Sequence, residues 1–127
     1  PDPYWMQFGI TNPNDNEGLM DLVSCGAHLV FLVTGRGNVI GSAIGPCIKV
    51  TGNAATYARM TGDMDFDASP ILTGKESQEE TTERLMKMVA EVASGTQSKS
   101  ESLGHKEFFI PYKYQEKAVA FTCGCRR

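Results

Sequence analysis

LVFLVTGRGNVIGS, residues 29–42, runs from five apolar residues straight into a glycine-rich loop that carries one arginine. The apolar part is short and rich in branched side chains, the pattern of a strand buried on both faces of a parallel sheet. In open α/β sheets ligands sit outside the carboxyl ends of strands, where such a loop would lie. Its reading therefore bears on fold and function together.

Working outward, NEGLMDLVSCGA (residues 16–27) reads as a helix of about ten residues, with Asp15 or Asn16 as cap and Gly26 as its stop. Downstream, CIKV (47–50) and MDFDA (64–68) read as strands, with FFIPY (108–112) as another apolar run, and Asn53 is placed to cap AATYARMT. Ser77 and Glu80 form a capping box. The helix that follows puts Leu85, Met88, Val89 and Val92 on one face and stops at Gly95. Residues 34–46 suffice for a parallel crossover, but their glycines and Pro46 argue against a long helix there, so strand order stays open. SGTQSKSES (94–102) reads as a polar, exposed connection. The expected fold is α/β, a small and mostly parallel sheet flanked by helices in a Rossmann-like three-layer arrangement.

Composition narrows the function. The 127 residues fit a single domain, and 41% hydrophobic with 21% charged residues is ordinary for a globular chain. A net charge of -3 supplies no basic field for nucleic acid or anionic lipid. No apolar run has the length of a membrane span and no signal pattern opens the chain, so neither nucleic acid nor membrane is an expected partner and a cytoplasmic location is expected. Cys25 and Cys47 lie in apolar settings. Cys123 and Cys125 are too closely spaced for a zinc knuckle and have no second pair.

The loop fits neither phosphate motif. Its glycines at 35, 37 and 41 miss the Gly-x-Gly-x-x-Gly spacing by one, and no Gly-Lys-Ser/Thr follows. What remains is Thr34 at a strand end, backbone amides unobstructed by side chains, and Arg36, whose planar fork suits a carboxylate. Taken alone, a glycine turn with a solvated arginine accounts for the loop equally well. Lys49, inside an apolar strand, has the setting of a buried base or of a lysine that snorkels. Asp63, Asp65 and Asp67 alternate with apolar residues as the outer face of a strand would, and an EF-hand fails because Ala68 and Gly74 stand where Gly and Glu are required. His28 and His105 read as structural.

TGRGNVIGS, PCIKVTGN, DMDFDASPIL, a capped helix ending ASG, and SLGHKEFF occur in an order that resembles the C-terminal region of the altronate and galactarate dehydratases over about residues 17–110. The order is also similar to the large subunit of sulfolactate sulfo-lyase. Arg36 favours the sugar-acid side, and SLGHKEFF the other. The resemblance implies that residues 1–127 are one C-terminal domain of a longer enzyme, with a core at 17–110 and a tail at 111–127. It implies a hydro-lyase that removes water from a hexonate or hexarate to give a 2-keto-3-deoxy sugar acid, inactive as an isolated domain; the alternatives are the large subunit of a sulfolactate sulfo-lyase and a non-catalytic structural or dimer-forming domain. The expected cofactor is a divalent metal, iron or manganese, held outside this domain. Expected partners are the sugar-acid substrate, the N-terminal and central domains of the same enzyme, and a second copy in a homodimer. Thr34, Gly35, Arg36, Gly37 and Asn38 are the expected substrate-binding residues, and Lys49 the expected catalytic base.

Overall fold

The computed structural model describes residues 14–108, so FFIPY beyond Phe108 and the Cys123–Cys125 tail lie outside the described residues. Helix α1 (Asp15–Ser24) is capped one residue earlier than the sequence suggests: the Asn14 side chain accepts the N–H of Asn16 at 3.2 Å. With Asn14 in that role, Asp15 and Glu17 fall in the first turn, where carboxylates favour the amide end of a helix. Gly26, at φ +97°, turns the chain back toward the first strand.

Three parallel strands follow in the order β1 (Val30–Val33), β2 (Cys47–Thr51) and β3 (Phe66–Asp67). Residues 34–46 make the crossover between β1 and β2 without a helix, as their glycines and Pro46 require. After β2, Asn53 caps α2 (Ala54–Arg59), accepting the N–H groups of Ala55 and Thr56. Short α3 (Ser69–Leu72) leads to α4 (Gln78–Ala93), the longest helix described. Its capping box is complete: Ser77 Oγ accepts the Glu80 amide at 3.1 Å and Glu80 Oε2 accepts the Ser77 amide at 2.8 Å. The Ser77 amide, and then its hydroxyl, hold the Glu80 carboxyl below its ordinary pKa.

The core forms on both faces of β2. Alternation sends Ile48 and Val50 to one side, where they meet Phe66 and the Leu85, Met88, Val89 and Val92 face of α4. It sends Cys47 to the other, against Val30 and the Leu19 and Met20 of α1. Helix, sheet and helix therefore make the expected three α/β layers. No helix among the described residues is long and apolar enough to cross a membrane.

Four local expectations are corrected. LVFLV is not buried on both faces: β1 is the edge of the sheet among the described residues, with Phe31 43% and Val33 74% exposed, because α4 covers β2 and β3 but not the outer part of β1. MDFDA forms a strand only at Phe66–Asp67. Cys25 is exposed, whereas Cys47 is buried and burial pushes its thiol up to about 11. The polar stretch 94–102 is an exposed connection only over residues 94–97. It carries α5 (Lys99–Ser102), whose Ser98 and Ser100 are buried because Ser98 Oγ and Ser100 Oγ bond each other at 3.1 Å and Ser100 Oγ lies 3.5 Å from Cys47 O.

If β2 rather than β1 is the structural centre, truncation will separate them. Ile48→Ala should lower unfolding stability by about 2–5 kcal/mol and Phe31→Ala by much less, as read from urea denaturation midpoints.

Candidate functional site

The chain leaves β1 at Thr34, whose N–H still donates to Val50 O at 3.0 Å, and turns at once. Thr34 Oγ1 accepts the Gly37 N–H at 3.1 Å, closing a side-chain-stabilised turn around Gly35 and Arg36. Gly37 sits at φ +93°, and a Cβ there would lie 2.1 Å from Met60 Sδ. Only glycine fits both requirements. The amide of Gly37 is thus committed inside the loop, and its residue's first role is to let the turn close.

Helix α2 holds this turn from outside. Thr56 Oγ1, on a residue only 2% exposed, donates to Gly35 O at 2.9 Å, and Asn53 Nδ2 donates to the same carbonyl at 3.3 Å. Asn53 therefore does two things at once, since its Oδ1 caps α2. The Arg36 side chain projects from this braced turn into solvent and forms no ion pair among the described residues. Arg84 is a contrast: it is paired with Glu76 at 2.9 Å and lies 4.6 Å above the Phe66 ring. Asn38 is turned away, its side-chain amide donating to the Asp15 carboxylate, while its Oδ1 accepts the Ile40 N–H at 2.8 Å.

The far end of the loop is clamped by residues 105–107. Glu107 Oε2 accepts the Gly41 N–H at 3.1 Å, Glu107 O accepts that of Ala43 at 3.3 Å, and Glu107 Oε1 meets His105 Nδ1 at 3.2 Å. A Cβ on Gly41 would come within 2.9 Å of both the His105 and Ser100 Cβ atoms. Burial alone would raise the Glu107 carboxyl, but its own amide, that of Gly41 and the ring of His105 outweigh it and hold the pKa below the ordinary value of 4.5.

Lys49 stands apart from Arg36. It is paired with Leu32 across β1, lies on the Cys47 and Thr51 face of β2, and is 0% exposed, with its Nζ unbonded. The structure thus brings Thr34 to Gly37 together at the surface and seals Lys49 beneath. The bracing by Thr56, Met60 and Glu107 is not visible in the sequence, because each acts across many residues. The cap at Asn53 is the one local signal near it.

Two outcomes follow. Gly37→Ala should lower stability by more than about 1 kcal/mol, and adding Met60→Ala should recover part of that, because one clash is relieved while the positive φ remains. Glu107, with its folded pKa lowered, contributes stability that is present above the unfolded value near 4.5 and lost as pH falls through the folded value. Glu107→Gln should flatten the stability–pH curve in that acid range, as followed by thermal unfolding.

A family model described as D-galactarate/altronate dehydratase, C-terminal, matches residues 5–116. The chain is 36% identical over 85 residues to the (2R)-sulfolactate sulfo-lyase subunit beta of Chromohalobacter salexigens, covering 67% of this chain and 22% of the relative. It is 30% identical over 97 residues to the altronate dehydratase of Escherichia coli, covering 76% of this chain and 19% of the relative. It therefore spans about a fifth of the length of these curated relatives.

Proposed function

Because the chain belongs to the D-galactarate/altronate dehydratase C-terminal family, we propose that it is the substrate-carboxylate-binding domain of a longer carbon–oxygen lyase that removes water from a hexonate or hexarate. The observation that carries this reading is Arg36: a guanidinium without an ionic partner among the described residues, on a turn braced by Thr56 and Asn53 at the carboxyl end of a parallel sheet. Its planar fork matches a carboxylate in two parallel hydrogen bonds.

The chemistry needs such a group. Taking the proton next to a carboxylate builds negative charge on that carboxylate as an enediolate forms, and fixed donors aimed at it stabilise the charge without reorganising. In this reading Arg36 and the Gly35 amide hold the carboxylate, Thr34 and Gly37 shape the turn, and Asn38 ties the loop to α1. Lys49 is the candidate base. Being buried in this structure, it would meet substrate only when the side chains that cover it move. The resemblance implies an iron or manganese ion. Among the described residues no three His, Cys, Asp or Glu side chains gather, so these residues do not fit such a site.

A second reading is a (2R)-sulfolactate-cleaving lyase, favoured by the higher of the two identities. Both readings place a carboxylate on Arg36 and differ in the departing group. The other domains of the longer protein would pack on apolar surface such as Val33 and Leu72, which is 77% exposed.

NMR titration of the chain with D-galactarate, altronate and (2R)-sulfolactate tests this. Saturable shifts at Gly35 and Arg36, weakened roughly tenfold by Arg36→Ala, are expected, and the relative affinities rank the acids. Silence with all three acids would sink the proposal.

A further inference from the structure

Three buried polar atoms have no hydrogen-bond partner among the described residues: Asn16 Oδ1, Glu17 Oε2 and Lys49 Nζ. Two are acceptors and the third is a donor. Buried polar groups are rarely left so, and an orphaned group in a folded protein points to an absent partner.

The topology brings all three toward the same end of one sheet face. Asp15 at the start of α1 is bonded to Asn38 beyond the end of β1, while Val23 near its end lies beside Gly45 ahead of β2, so α1 runs antiparallel to the strands. Leu19 and Met20 pack against Val30 and Cys47. Three residues back along α1, about 4.5 Å, lie Asn16 and Glu17. Two residues along β2 from Cys47, about 6.6 Å in the same direction, lead to Lys49 on the same sheet face. Ile40, packed on this cluster, brings the glycine loop over the same region. Yet no hydrogen bond or ion pair joins any two of the three atoms.

We propose that Asn16, Glu17 and Lys49 form a hydroxyl-recognition subsite, which reads the carbon chain of a polyhydroxy acid whose carboxylate lies on Arg36. This deepens the proposed function and rests on it. A hydroxyl both accepts and donates, so it can accept from Lys49 Nζ and donate to Glu17 Oε2 or Asn16 Oδ1. A second carboxylate is disfavoured by Glu17, and an apolar group leaves all three atoms unsatisfied. Because Lys49 is 0% exposed, the hydroxyl reaches it only by displacing the side chains that cover it.

Galactarate and adipate are six-carbon dicarboxylates with and without hydroxyls, so they separate this subsite from the carboxylate site. In NMR titrations of the whole chain, galactarate should bind about tenfold or more tighter than adipate, one well-placed hydrogen bond to a charged group being enough for that ratio. It alone should shift the Asn16 side-chain amide and the Glu17 backbone amide. Glu17→Met and Lys49→Met should each bring the two affinities together while adipate still shifts Gly35 and Arg36. If Lys49→Met does not fold, Glu17→Met decides alone. Equal affinities for the two acids, or a ratio unchanged in Glu17→Met, would overturn the subsite while leaving the carboxylate site standing. Failure of both acids at Gly35 and Arg36 would overturn both.

Discussion

The carboxylate of Asp65 is the joint on which the described fold closes. Its Oδ2 accepts the N–H of Lys49 at 2.8 Å, its Oδ1 accepts the N–H of Lys99 at 2.8 Å, and its own N–H donates to Lys49 O at 2.9 Å. One side chain thereby extends the pairing of β2 past the two-residue β3 and docks the first turn of α5. Lys99 adds to the seam, its Nζ donating to Met64 O at 2.6 Å and to Thr61 O. Without Asp65, two backbone donors at the seam would lose their acceptor, at about 1–3 kcal/mol each. With it, every residue of β2 can be buried, and the strand carries a core on each face.

Elements stabilised by near neighbours along the chain are legible in the amino-acid sequence. The Ser77–Glu80 box, the Asn53 cap and the turns at Gly26 and Gly95 depend on residues within a few positions of one another, so the pattern contains its own explanation. The Ser98–Glu101 box has the same spacing as Ser77–Glu80, but the serines and lysine around it read as a solvated connection. What reverses that reading is tertiary: hydroxyls that bond each other and a backbone carbonyl can be buried without loss. Strand centrality is hidden for a related reason. LVFLV is the more apolar run, yet CIKVT is the buried strand, because burial depends on having a neighbour on each side and not on hydropathy alone.

The loop divides in the same way. Its position after a strand, its glycines and its single arginine can all be read along the chain. Its rigidity cannot, since the Gly35 carbonyl is held from α2 and the Gly41 amide from Glu107. Asp65 shows the limit most plainly. Alternation with Met64 and Phe66 makes it an outward carboxylate, whereas it accepts backbone amides from two other segments. A periodic pattern reports which way a side chain leaves the backbone, and says nothing of what arrives from elsewhere to meet it.

Lys49 is where stability and function part. Cys47, Lys49 and Thr51 share one fully buried face of β2, and Ile48 and Val50 show what packing alone selects for this strand. A methionine would fill the volume of a lysine without leaving a polar atom unbonded, so folding gives no reason for an amine at that point. The acceptors Asn16 Oδ1 and Glu17 Oε2 are also without a partner among the described residues. Unmatched polar atoms cost stability wherever they are buried, which is why packing alone does not account for these three.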